Sequence, residues 1–414
     1  MQSVAASVIS HIILVIWGLK NDKDIGHRCS RGGVNGASIA MHLSKTLGGK
    51  VTLVEKGGLA TGATGRSGAM IREHYLTPEL VRIASRSKTF FENWPGEHGY
   101  DLKFKKTGRI LLFGKVDENS ARLNGEMNRR EGVSIETLGM AETSKILPEA
   151  NLEDIEVALY EPDAGYADPV ATTYAFAKEA KRHGATILTN TKVSEIISYQ
   201  GKVTGIKTNR GDIESGIIVN VTGPWANSLL SPLGETLPIT PIRVQMVHLR
   251  RPPSLGTLEQ IVIDHTCGSY YRTDGSPNTL IGGEAPEDIG ETVNPDHFGL
   301  NADHQFIVRY WKRAIKRFPE FQNAICRGGY GSLYDMTPDG NPIIDASETI
   351  ENLYNVTGFS GHGFKLSPAV GELVSELVNG SKNRTDELNL FKASRFDTGN
   401  EITPKHPYGM RAHQ

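Results

Sequence analysis

The chain has 414 residues, with 45 Lys+Arg against 47 Asp+Glu. That length exceeds what one hydrophobic core usually fills, so two lobes are expected. The near balance of charge, with no long run of one sign, excludes nucleic acid and an anionic membrane as natural partners. Hydrophobic residues at 38% and 45 glycines fit a globular α/β protein rich in tight turns. Cys29, Cys267 and Cys326 form no CxxC pair and have no zinc-site spacing, so no metal and a reducing, cytoplasmic setting are expected.

Residues 4–19 are mostly apolar, but no Lys or Arg precedes them and His11 interrupts them. Residues 12–17 therefore read as a buried strand rather than as an export or anchoring segment. A helix over 35–45, with small residues on one face, leads to a strand over 51–54 that ends in Glu55. The glycine-rich loop 57–68 follows, then a helix over 78–93 that starts with proline. Residues 104–113 alternate like antiparallel strands. A helix over 169–183 and the strand 186–188 restore the parallel texture, with further strands at 193–197, 203–208 and 217–221. The stretch 239–281 looks antiparallel, 305–317 is an amphipathic helix, and 353–356 is a strand followed by loop 357–363 and helix 367–378. A nucleotide-binding lobe is thus assembled from 1–95, 150–232 and 330–396, and a β-rich lobe from 96–149 and 233–329; 397–414 is a tail.

Gly32-Gly33-Val34-Asn35-Gly36 opens a helix, and Glu55 ends a strand about 20 residues further on, the order that dinucleotide sites use. Glycines let the backbone approach a pyrophosphate, the helix N-terminus offers free N–H groups, and Glu55 can accept from ribose hydroxyls. Such a cluster alone is also compatible with an ordinary tight turn. The second loop, Thr357-Gly-Phe-Ser-Gly-His-Gly-Phe-Lys365, again joins a strand to a helix start. Two helix N-termini can hold both ends of one long cofactor, the second facing a flavin pyrimidine. A simple NAD-dependent dehydrogenase leaves that second loop without a role.

With these motifs in place the chain resembles the D-amino-acid-oxidase-like flavoproteins, in the branch of sarcosine oxidase, dimethylglycine dehydrogenase and the proline dehydrogenase β-subunit. The resemblance rests on Gly33-Val-Asn-Gly-Ala-Ser38, Val54-Glu-Lys56, Gly65-Arg-Ser-Gly68 with Ile71-Arg72, Asp163-Ala-Gly-Tyr-Ala-Asp-Pro169, Val219-Asn-Val-Thr-Gly-Pro-Trp-Ala226, Asp335-Met-Thr-Pro-Asp339 and the segment from Gly358 to Ser367. These run in family order from about residue 32 to 396. The resemblance implies a Rossmann-like FAD-binding domain with an inserted, mainly antiparallel-sheet substrate domain. The implied reaction is oxidation of the C–N bond of a small amino acid of the sarcosine, dimethylglycine, glycine or proline class. Hydride passes to flavin and the resulting imine hydrolyses.

By the same resemblance, Glu55 and Lys56 fall at the adenosine ribose and the backbone of Val193 meets the adenine. Arg66, Ser67 and Gly68 pass beside the flavin, Thr222 and Gly223 belong to a cofactor loop, and Gly361, Gly363, Phe364 and Lys365 lie at the pyrimidine and substrate edge. Arg72 and Lys365 match a pair that grips a substrate carboxylate, as a planar fork and a point charge can. The alternative for Arg72 is a surface ion pair with Glu73 or Glu79. Tyr271 is either a substrate-facing phenol or a plain core tyrosine. No residue is assigned as a general acid or base.

Three departures matter. The family's first turn glycine falls on Arg31, and the polar stretch 20–30 replaces the expected strand, so that residues 12–17 lie too early; this points to a misread start. The cysteine that attaches FAD in covalent relatives is absent before Thr337-Pro338, and His74 does not match the histidine attachment, so FAD is expected to be non-covalent. Leu280 stands where oxidases of the branch carry an oxygen-activating lysine, which favours a dehydrogenase. The partners implied are a small amino-acid substrate and an electron-accepting subunit or carrier. A subunit active only within a larger complex and a degenerate paralogue without FAD are the rival readings.

Overall fold

A computed structural model describes residues 12–16, 33–288, 291–381 and 383–409. The strand Val51–Glu55 is buried along almost its whole length, the pattern of a parallel strand covered on both faces. It lies in a six-stranded sheet in the order Ile343–Ala346, Leu353–Thr357, Ile217–Asn220, Ile12–Ile16, Val51–Glu55, Thr186–Leu188. Every neighbouring pair is parallel except the first. Ile12–Ile16 forms a strand of this sheet, paired with Val51–Glu55 on one side and Ile217–Asn220 on the other, and Trp17, Arg31 and Gly32 lie outside the described residues.

The helix Val34–Leu47 packs against the helices Gly363–Val378 and Pro169–Arg182. Its closest approach is made by small residues: a Cβ on Gly371 would lie 2.4 Å from the Ser38 hydroxyl. Glycine there lets the two helices run in near-contact, which brings their N-termini together over the carboxyl ends of the parallel strands, where such sheets bind ligands.

The second layer is an eight-stranded mixed sheet, ordered Ile325–Met336, Thr240–Arg250, Asn278–Gly283, Ser269–Thr273, Ile261–Asp264, Arg109–Phe113, Val157–Glu161, Glu136–Leu138. One face, with Met246, Tyr270 and Leu280, joins the core of the nucleotide-binding lobe; the other, with Val247, Tyr271 and Ile281, packs with Phe306 and Tyr310 of the helix His304–Arg317.

Two expected boundaries move. Val157–Glu161 pairs with Arg109–Phe113 and so belongs to the large sheet, as does Ile325–Met336 beyond residue 330. Arg109–Phe113 also pairs parallel with Ile261–Asp264, so that region is not purely antiparallel. The helix expected over 367–378 starts at Gly363. Pro368 suggests a boundary from sequence, but its missing N–H is compensated: the Ser367 hydroxyl donates to the Phe364 carbonyl at 2.8 Å.

Candidate active site

The two helix N-termini meet at a groove. Gly33, Val34, Asn35, Gly36, Arg66, Ser67, Thr222, Gly223, Gly361, Gly363 and Phe364, all singled out in the sequence, line it. At one end Gly33 is extended, and the Val34 N–H donates to the Thr64 hydroxyl at 3.1 Å. A Cβ on Gly363 would lie 2.8 Å from the Asn35 side-chain nitrogen, so glycine is what allows the second helix to begin there. Gly361 has φ +88°, and a Cβ would press 2.8 Å into the Tyr334 ring.

The loop between strand and second helix is held by Asp335, a residue that the Asp335-Met-Thr-Pro motif contains but whose task the sequence does not disclose. Its carboxylate accepts from the Gly358 N–H at 2.7 Å, and the Ser360 hydroxyl accepts from the Thr337 N–H at 3.1 Å. Complete burial raises the Asp335 pKa, against the lowering effect of its backbone hydrogen bonds.

Glu55, Lys56 and Val193 lie apart from the groove lining. Glu55 is buried and accepts from the Gly57 N–H at 2.8 Å, while its own carbonyl accepts from Thr191 at 2.8 Å, tying it to the chain just before Val193. The Val193 side chain packs in a core with Val54 and Ile218. Lys56 stands 3.6 Å from Asp296, and burial outweighs that partner to bring its pKa down to about 8.

A second, smaller cavity shares Ser67, Tyr334, Gly361 and Phe364 with the groove and adds Gly68, Arg72, Arg109, Tyr270, Glu284, His362 and Lys365. Arg72 and Lys365, distant in sequence, are thus walls of one cavity, and both are buried. The Arg72 guanidinium lies 4.0 Å from the Tyr75 ring centroid and bonds the His74 carbonyl. The surface ion pair is not formed: Glu73 meets Lys88 at 2.7 Å and Glu79 meets Arg82 at 3.5 Å. Glu161 holds this segment in place, accepting from the N–H groups of Glu73 at 2.7 Å and His74 at 3.0 Å while pairing with Arg109 at 2.9 Å. Lys365 occupies the first turn of its helix, with Nζ 3.4 Å from the Gly361 carbonyl.

Tyr271 is the correction. Side chains alternate along a strand, and Tyr271 faces the other core, bonded to the Ser269 hydroxyl at 2.8 Å and packed on Phe318. Its neighbour Tyr270 lines the cavity instead. Two adjacent tyrosines satisfy either register, so only the pairing decides. His362, which lies inside the second glycine-rich loop, has its Nδ1 3.0 Å from the Tyr75 hydroxyl, whereas Glu284 escapes sequence reasoning, since nothing in its spacing marks it.

The cradle suits a long, anionic, partly aromatic group. Two helix N-termini converge on it, side chains at Gly361 and Gly363 would crowd it, and the buried Asn35 Oδ1 has no hydrogen-bond partner among the described residues. Residues 32–377 match the family model DAO, FAD dependent oxidoreductase. The chain belongs to this family of FAD-dependent oxidoreductases. It is 30% identical over 384 residues to the sarcosine oxidase subunit beta of an Arthrobacter species, covering 90% of this chain and 91% of that one. It is 27% identical to the bovine FAD-dependent oxidoreductase domain-containing protein 1, covering 89% of this chain and 84% of that protein. Among solved structures, L-proline dehydrogenase from P. horikoshii superposes with a TM-score of 0.82 at 30% identity, covering 95% of this chain and 99% of that one. FAD is the family's cofactor, and the described groove fits it. No helix among the described residues is long and apolar enough to cross a membrane, and none of their acidic, His and Cys side chains cluster as a metal site.

Proposed function

We propose that this FAD-dependent oxidoreductase oxidises the C–N bond of a small, N-substituted amino acid. The observation that carries the reading is the pair of buried cations, Arg72 and Lys365, in a cavity that shares four wall residues with the cofactor groove. A carboxylate meets a planar fork and a point charge there, in a setting where both interactions are strengthened by low solvent access. Relatives named sarcosine oxidase subunit beta and L-proline dehydrogenase support the substrate class.

Gly33, Val34, Asn35 and Gly36 would hold the pyrophosphate, Glu55, with Lys56 beside it, the adenosine ribose, and the Val193 backbone the adenine. Arg66, Ser67, Gly68, Thr222, Gly223, Gly361, Gly363 and Phe364 would flank the ring system. When bound, FAD supplies the two-electron, hydride-accepting chemistry. The chain anchors the substrate carboxylate, orients the C–H bond, and keeps water away with Tyr270, Tyr334 and Phe364. No side chain is needed as a base, because the amine reacts in its neutral form and the imine product hydrolyses in water. Attachment is non-covalent: Cys267 is buried in the protein core and His74 bonds the Tyr408 hydroxyl at 3.1 Å, neither lining the groove.

Likeness along nearly the whole chain to a protein named as a subunit favours a second reading, in which electrons pass to a partner chain or carrier. Leu280 fits it. This residue is buried and apolar, so its position supplies no cation for dioxygen activation, and the neighbouring Arg272 is engaged by Asp274 at 2.9 Å. Anaerobic bleaching of the flavin by sarcosine, dimethylglycine, glycine or proline tests the activity, and bleaching by none of them overturns it. Additional chains that copurify and accept the electrons support the subunit reading; full turnover without them removes it.

A further inference from the structure

A short strap leaves the eight-stranded sheet and reaches the nucleotide-binding lobe. It begins along the strand Thr240–Arg250, where the Arg243 N–H donates to the Glu291 carbonyl and the Val293 N–H to the Pro241 carbonyl, both at 3.0 Å. The buried Arg243 guanidinium ties down its far end by donating to the Gly299 carbonyl at 3.0 Å. Between these anchors Asn294-Pro295-Asp296-His297 makes a tight turn. The His297 N–H donates to the Asn294 carbonyl at 2.9 Å, and the Asp296 N–H to the Asn294 side-chain oxygen at 2.9 Å. Proline in second place presets such a turn, and asparagine in first place closes it with its own side chain.

The tip of the turn carries Asp296, and the turn closes without its carboxylate. That carboxylate instead meets the other lobe: its Oδ1 accepts from the Trp225 indole N–H at 3.1 Å and lies 3.6 Å from Lys56 Nζ. Trp225 ends the turn Gly223–Trp225 and lines the cofactor groove beside Thr222 and Gly223. Lys56 directly follows Glu55 at the end of its strand, next to the position read as the adenosine-ribose ligand. One carboxylate thus bridges a wall of the groove and the neighbour of the ribose position. Trp225 and the Lys56 side chain are nearly buried, whereas the Asp296 side chain is 39% exposed, so the bridge is an outer closure.

We infer that Asp296 is a positioning residue that clasps the strap over the adenosine end of the cofactor groove, so that bound FAD leaves only after the contacts to Trp225 and Lys56 have opened. A strap fixed to one lobe and latched on the other adds an opening step to dissociation, and such a step lowers the release rate. The latch is a charge-assisted hydrogen bond with a second cation beside it, stronger than a neutral contact yet open to water on one side. The inference concerns retention of the cofactor and does not depend on the substrate reading of Arg72 and Lys365.

The test mixes the FAD-loaded protein with a large excess of 5-deaza-FAD and follows replacement of the bound flavin by absorbance, so that the rate reports release without rebinding. Asp296→Ala removes both contacts and should speed exchange roughly tenfold, the scale of one partly exposed charged hydrogen bond. Asp296→Asn keeps an acceptor for Trp225 but offers Lys56 no charge, and should speed exchange roughly threefold. Trp225→Phe keeps a ring on the groove and removes the N–H; added to Asp296→Ala it should change little, because the contact is already gone. Arg86→Ala is the control: it breaks the Arg86–Glu387 pair at 2.7 Å, away from the groove lining, and should lower the thermal melt while leaving exchange unchanged. Unchanged exchange in the Asp296 variants overturns the inference, and so does equal acceleration in Arg86→Ala, which would mark a merely structural contact. A full Trp225→Phe effect on top of Asp296→Ala overturns it too, since Trp225 would then act without Asp296. If Asp296→Ala cannot be loaded with FAD, Asp296→Asn decides, and unchanged exchange there overturns the clasp while FAD binding stands.

Discussion

Replacing Arg72 with Met removes one of two cations from the cavity while keeping a stem of similar length against Tyr75. The guanidinium is 7% exposed and lies over the Tyr75 ring, so it is pre-positioned and a ligand carboxylate gains a charged hydrogen bond without ordering it anew. Loss of one partner of such a bond costs about 2 to 4 kcal/mol, which converts to roughly 30- to 1,000-fold in substrate binding. The His74 carbonyl also loses its donor, at about 1 kcal/mol of stability. FAD content should stay near normal, because Arg72 lines the substrate cavity and not the groove. Lys365→Met should weaken binding on the same scale and also alter the flavin spectrum, since its helix start borders both spaces. Stopped-flow anaerobic reduction gives the apparent Kd separately from the reduction rate. An unchanged Kd with full FAD content in both variants would refute the carboxylate grip.

Acid precipitation should release all of the FAD, and flavin left on the denatured chain would show a covalent bond instead. Reduction of the bound flavin by an N-alkyl amino acid should be far faster than turnover with oxygen as sole acceptor; peroxide formed at the rate of flavin reduction would show that the Leu280 argument fails. Gly363→Ala should lower FAD retention and cost about 1 to 3 kcal/mol, because the new methyl lies 2.8 Å from the Asn35 side chain. Gly96→Ala, in a helix with open space around the new methyl, is the control and should leave FAD retention unchanged and the thermal melt unchanged or raised, by at most about 1 kcal/mol.

Much of the cofactor cradle is legible in the amino-acid sequence, because close approach of neighbouring groups leaves a chemical mark: Gly361 and Gly363 stand where side chains would collide. Arg72 and Lys365 are legible only through their motifs, and their meeting in one cavity is a product of the fold. What stays hidden depends on register and pairing. Tyr270 and Tyr271 exchange roles with a one-residue shift, and the alternation Gly282, Gly283, Glu284 is read only once Tyr310 and Tyr270 are placed on opposite faces. The strand Val157–Glu161 joins the large sheet because Arg109–Phe113 is its partner, a long-range pairing that no local pattern announces. The helix start at Gly363 is masked by Pro368, whose cost is offset by a single serine hydroxyl.

The central claim, an amino-acid oxidation directed by Arg72 and Lys365, is tested most directly by anaerobic flavin reduction with sarcosine, proline and glycine beside their decarboxylated analogues dimethylamine, pyrrolidine and methylamine. At least one of the acids should reduce the flavin, and its decarboxylated partner should be poor, because it offers Arg72 and Lys365 no carboxylate to bind. That difference should shrink in Arg72→Met. Equal reduction by the acids and their decarboxylated forms would contradict the amino-acid assignment while leaving an FAD-dependent amine oxidoreductase in place.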